Sequence, residues 1–172
     1  MSKYNPNNER IKRHYFNFLK EAKRQDESTL DQVAKSLSRF EEHGKYRDFK
    51  KFHFNRAVAF KHHLAVQTNK NTGKILSKAT INSTLSHLKR FFEWLSCQPG
   101  YKSVIKYMDA EYFNLSNKDT RIAKASRTKT VPTIEQIRHV IQVMPTDSDI
   151  ALRNRALIAF TILTGARDDA IA

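Results

Sequence analysis

Three groups of residues in this sequence have the types and spacing to do chemistry, and all three are suited to phosphate. The first is Arg167, which follows Leu163-Thr-Gly-Ala at the end of an apolar run. Thr164-Gly165 suits a helix C-terminus with glycine in the left-handed closing position, so the arginine projects from a tight, rigid turn. Its planar fork stays charged and bonds two phosphate oxygens at once, although a helix-terminal salt bridge accounts for the residue types equally well. The second group is Lys118, Arg121, Lys124, Arg127 and Lys129, opposed only by Asp119 in a stretch with little apolar periodicity. Such a stretch either follows a nucleic-acid backbone or is a solvated tether. The third is Asn82, Ser83, Ser86 and Arg90, flanked by His87 and Lys89. Small polar side chains with an arginine let a helix lie close to a DNA groove, or form an ordinary solvated face.

Other chemistries find no footing. His62 and His63 are adjacent, hence about 100° apart on a helix, and neither His-Glu-x-x-His nor Cys-x-x-Cys occurs. With no glycine-rich phosphate loop either, the expectation is no metal and no nucleotide cofactor. The single Cys97 fits a reducing compartment and reads as a small, half-buried apolar residue.

The helix that would position Arg167 is the most apolar run of the chain, Ala156-Leu-Ile-Ala-Phe-Thr-Ile-Leu163. Projected at 100° per residue its apolar side chains point to every side, which marks a helix made to be buried all round. Leu152-Arg-Asn-Arg-Ala-Leu157 running into Leu163-Thr-Gly-Ala-Arg167 resembles the entry to the catalytic domain of tyrosine recombinases, the phage-integrase family. The resemblance makes Arg167 the first of two catalytic arginines on the scissile phosphate. It extends in outline over the whole chain: a SAM-like, DNA-binding core-binding domain of four to five helices at 1–116, a basic linker at 117–131 lying along DNA, and a truncated start of the catalytic domain at 132–172. The family usually has an acidic residue three places after the arginine, where this chain has Ala170, with Asp168 and Asp169 nearer. Its hairpin lysine, His-x-x-Arg segment, later His or Trp and nucleophilic Tyr would all follow Ala172. The resemblance therefore implies double-stranded DNA as partner, strand exchange through a 3′-phosphotyrosyl link in the full-length protein, four protomers on two duplexes, and a prokaryotic or phage-borne element. The 172 residues alone are expected to be inactive.

Lysine and arginine number 31 against 17 acids, a net charge of +14, which favours a polyanion as partner. No apolar run reaches the ~20 residues that span a bilayer and the N-terminus lacks a signal-peptide core. The expectation is a cytoplasmic protein without a membrane partner.

With only four glycines and four prolines and helical apolar spacing throughout, the chain reads as all-α. The first helix should run from Asn8 to Gln25 with Ile11, Tyr15, Phe18, Leu19 and Ala22 on one face. The second, capped at Ser28, buries Leu30, Val33, Leu37 and Phe40 and closes at Gly44. Between Gly44 and His63 basic residues alternate with Tyr46, Phe49, Phe52, Phe54 and Phe60; base stacking is possible there, but the spacing better suits a core. A third helix spans about Asn55–Gln67, and a polar loop at 68–74 should be mobile. The fourth, capped by Thr80, carries the stripe Ile81, Leu85, Leu88, Phe92 and Leu95, with Trp94 on its flank as a packing residue. Residues 101–113 read as a short helix or irregular packing element. Thr133-Ile-Glu-Gln136 is a capping box opening a helix with Ile134, Ile137, Val140, Ile141 and Met144 on one face, and Asp147-Ser148 caps the next.

Two functions remain open at this point: the DNA-binding portion of a recombinase, or a stand-alone basic helical module that binds nucleic acid without catalysis. An open reading frame past Ala172 supplying His-x-x-Arg and a late Tyr decides for the first.

Overall fold

Every regular element among the described residues is helical, as the apolar spacing requires. The computed structural model describes residues 4–69, 72–125, 131–166 and 170. The chain divides into two units, Met1–Ala125 and Ser126–Ala172.

In the first unit Asn5 caps α1 (Pro6–Asn17), its side chain accepting from the N–H of Asn7 and Asn8 with Pro6 in the first turn. The helix then widens into a π-helical turn, Phe18–Ala22, and Arg24 ends it at φ 51°. Tyr15 and Leu19 reach the core, while Ala22 is exposed. Helix α2 (Glu27–His43) is capped by Asp26 rather than Ser28, because the carboxylate accepts from Thr29 N–H at 2.7 Å. It ends at Gly44 as expected, but there φ is −78° and the left-handed turn is made by Lys45 and Tyr46. A 3-10 turn (Phe49–Lys51) leads into α3 (Phe54–Val66). The loop after α3 is closed by an antiparallel bridge between Thr68 and Ile75. Helix α4 (Lys78–Ser96) is capped by Ser77, one turn before Thr80. A second 3-10 helix (Tyr107–Phe113) and α5 (Asn117–Lys124) complete the unit.

Helix α4 is its axis. Ile81, Leu85, Leu88, Phe92 and Leu95 are all buried on it, as the stripe predicted, and Phe91, which the stripe did not include, is buried beside them. Phe92 stacks on Phe52 at 3.8 Å between ring centroids, with Phe40, Phe49, Phe91 and Phe113 within 5.8 Å. Phe49, Phe52 and Phe60 are thus core, as expected of that aromatic-basic stretch, while Tyr46 and Phe54 are only partly buried. A polar knot ties α1 to the far end of α2. Buried Asn8 donates to Glu41 Oε1 (2.9 Å) and to the Arg47 carbonyl (3.1 Å), and its own Oδ1 accepts from Phe49 N–H (3.0 Å). Glu41 Oε2 meets Lys12 Nζ at 2.6 Å.

The segment expected as a linker from residue 117 is helical up to Lys124. Ser116 caps α5, Asp119 pairs with Lys78 at 3.0 Å, and the helix packs against α4. The first unit therefore extends to Ala125 rather than stopping at 116.

In the second unit the capping box forms as expected. Thr133 N–H donates to Gln136 Oε1 (2.9 Å) and Gln136 N–H to Thr133 Oγ1 (3.3 Å), starting α6 (Ile134–Val143). Ser148 caps α7 (Asp149–Thr164), which ends on Gly165 at φ 62°. The left-handed glycine is where the Thr-Gly pair placed it. No residue of α6 or α7 is buried, and Leu163 is 85% exposed. Among the described residues no helix is long and apolar enough to cross a membrane.

Candidate nucleic-acid interface

Asn82, Ser83, Ser86 and Arg90 lie away from the buried stripe of α4, which is broad enough to take in Thr84 as well, and of these four only Arg90 is exposed while the others are partly buried. On one flank Asn82, Ser86 and Lys89 line a groove of about 360 Å³ with Asn114, Thr120 and Lys124. Two of the sequence groups meet here, since Lys124 comes from the basic stretch and Asn82 and Ser86 from α4. Lys89 is committed within the fold: it bonds Glu111 at 2.9 Å and Asn114 at 3.2 Å, with Glu93 at 3.8 Å. Hydrogen bonds from the Lys89 ammonium and Asn114 hold the Glu111 carboxyl below its ordinary range. A cation so occupied is a weak anchor for an added phosphate.

On the other flank His87 Nδ1 lies 3.0 Å from Ser36 Oγ of α2. Burial, reinforced by the Arg90 charge, pulls the His87 pKa down. Ser83 bonds the Thr80 carbonyl of its own helix at 3.1 Å, and Arg90 is exposed. Arg39 of α2 donates to Thr84 Oγ1 at 3.3 Å, joining the two helices. It also lines a polar cleft with Lys35, Ser38, Thr68 and Asn69. The sequence reading passed over Lys35, Ser38 and Arg39, although their spacing places them on one side of α2, away from Val33, Leu37 and Phe40.

On α5 Lys118, Arg121 and Lys124 are exposed. Their partner in the sequence, Asp119, is turned to Lys78, which holds its carboxyl below the ordinary range. Arg127, Lys129 and Arg167 lie outside the described residues. Among the described residues no group of three His, Cys, Asp or Glu side chains is placed to hold a metal ion.

The two faces of α4 make separable predictions. Arg90→Ala, at an exposed site, should change stability by less than about 0.5 kcal/mol, while Leu88→Ala, fully buried, should cost about 2–5 kcal/mol. Thermal melts ranking Arg90→Ala as the more damaging would invert the facing of this helix.

The chain matches no protein-family model, no curated protein and no solved structure.

Proposed function

We propose that this chain is the DNA-binding portion of a site-specific tyrosine recombinase or integrase. In this reading the first unit grips duplex DNA through α2, α4 and α5, and α6 and α7 lead to Arg167 on the scissile phosphate. The observation that carries the reading is the sequence Leu163-Thr-Gly-Ala-Arg167 at the end of a helix that terminates on a left-handed glycine. The charge of +14 and the exposed cations of α5 support the duplex as partner. Phosphate contacts release condensed counterions, so affinity falls with salt by a slope of about −0.9 per phosphate neutralised.

The test is a titration of a labelled random-sequence duplex at several salt concentrations. If about five cations engage, the log-log slope should lie near −4 to −5. Replacing Lys118, Arg121, Lys124, Arg127 and Lys129 together by Ala should flatten it. An unchanged slope removes this segment from the interface, and a wild-type chain that ignores duplex DNA at low salt ends the DNA reading altogether.

A further inference from the structure

At one edge of the first unit the phenylalanine core runs out to the surface, where buried Tyr15 and partly buried Trp94 both meet Phe91, at 5.1 and 6.2 Å between ring centroids. Tyr15, Phe18 and Trp94 pack together with centroids 4.9–6.3 Å apart, but Phe18 and Trp94 remain partly exposed. They line a groove of about 550 Å³ between the end of α1, α2 and α4, within the range of about 300–1,000 Å³ usual for ligand sites. Two cations, Lys23 and Arg90, also line it, together with Gln25 and Thr29. The one carboxylate among the lining residues is Glu93, which has Lys89 at 3.8 Å. Tyr107, 52% exposed, adds a further ring.

The backbone is built unusually at this groove. The Lys23 N–H bonds the Phe18 carbonyl across five residues at 3.2 Å, a π-helical turn that inserts an extra residue and is often found at functional sites. The widened turn sets Lys23 Nζ 5.6 Å over the Phe18 ring, so cation and ring occupy the same stretch of wall. Burial pushes the Tyr15 phenol up to about 12, with Arg90 drawing it down and Glu93 up, and its hydroxyl therefore stays protonated.

We infer that this groove receives an unpaired nucleobase, laid against Trp94 and Phe18, with Arg90 and Lys23 on the flanking phosphates. A planar apolar ring and an adjacent anion are needed together to satisfy such walls, and a nucleotide carries both. An aromatic side chain from a second copy would fill the apolar part and leave two cations facing each other in a molecule already at +14. The inference rests on the reading of the chain as a nucleic-acid binder and adds that it also takes single strands or bases displaced from a duplex.

Trp94 is the only tryptophan, so its fluorescence reports on the groove directly. The probes are a short oligothymidylate and an abasic strand with the same number of phosphates, with a labelled duplex followed by anisotropy in parallel. The base-bearing strand should quench Trp94 and bind roughly 5- to 150-fold more tightly than the abasic one. Phe18→Ala should remove most of that difference, and Arg90→Gln, at an exposed position, should weaken both strands while keeping the preference for bases. Equal affinity of the two strands with intact duplex binding overturns the groove alone. Failure of all three probes overturns nucleic-acid binding as a whole. Quenching that grows with protein concentration in the absence of any strand would assign the groove to a second copy and also overturn the inference.

Discussion

Phe92→Ala should lower the stability of the first unit by about 3–5 kcal/mol, since truncating a buried phenylalanine removes both its transfer free energy and its packing partners. The ring is fully buried and touches aromatic side chains from α2, from both 3-10 segments and from the residue after the first of them. No single neighbour can move into the void without leaving another contact. At several degrees per kcal/mol for a unit of this size, the melting temperature should fall by roughly 10 °C or more. Phe92→Leu should lose less because most of the volume remains, and Tyr112→Ala, at a 45% exposed site, should lose little. Urea denaturation followed by circular dichroism measures all three, and a loss below about 1 kcal/mol for Phe92→Ala would mean that this cluster is not the core.

Glu41→Ala should cost a similar amount, about 3–5 kcal/mol, for a different reason. Glu41 is 2% exposed and is bonded to both Asn8 and Lys12. Burial pulls the Lys12 pKa down, but hydrogen bonds and charge from Glu41 and Glu9 outweigh it and leave the pKa raised. Removing Glu41 leaves that ammonium half-buried beside only Glu9 (2.6 Å) and strips Asn8 of an acceptor. A buried ion pair replaced as a whole is often nearly neutral, so Glu41→Leu combined with Lys12→Met should recover part of the loss. A double variant no more stable than Glu41→Ala would show that the Asn8 amide, not the charge, is what suffers.

The difference between these two sites explains what was legible in the sequence. Phe92 belongs to a stripe with a period of 3.6, and Leu85, Leu88 and Leu95 could be placed beside it without knowing the fold. The link from Asn8 to Glu41 joins residues 33 apart, and no local pattern announces it. Caps were missed by a turn or less, Asp26 for Ser28 and Ser77 for Thr80, because several neighbouring residues are competent caps and the choice depends on where packing starts the helix. Helix α5 was invisible for a related reason. Ile122 and Ala123 are its only apolar residues, and it is held by a cap at Ser116, the pair Lys78–Asp119 and contact with α4. The polar face of α4 is legible in the sequence, but not what each of its side chains touches. Its cations proved unequal, since Lys89 is tied to Glu111 while Arg90 is exposed.

The exposed apolar side chains of α6 and α7 should govern how molecules of this polypeptide attract or repel one another in solution. Ile134, Val143, Ile150, Phe160 and Leu163 are each more than half exposed in a molecule whose net charge is +14. In dilute buffer mutual repulsion reaches about 10 Å or more and keeps such surfaces apart. As the ionic strength rises toward about 1 M the screening length shrinks to about 3 Å, and apolar contact between molecules is no longer opposed. The second virial coefficient should therefore change from positive to negative across that range of ionic strength. Concentrated salt should push the protein toward clustering, and prompt dilution after any high-salt step is the handling its surface favours.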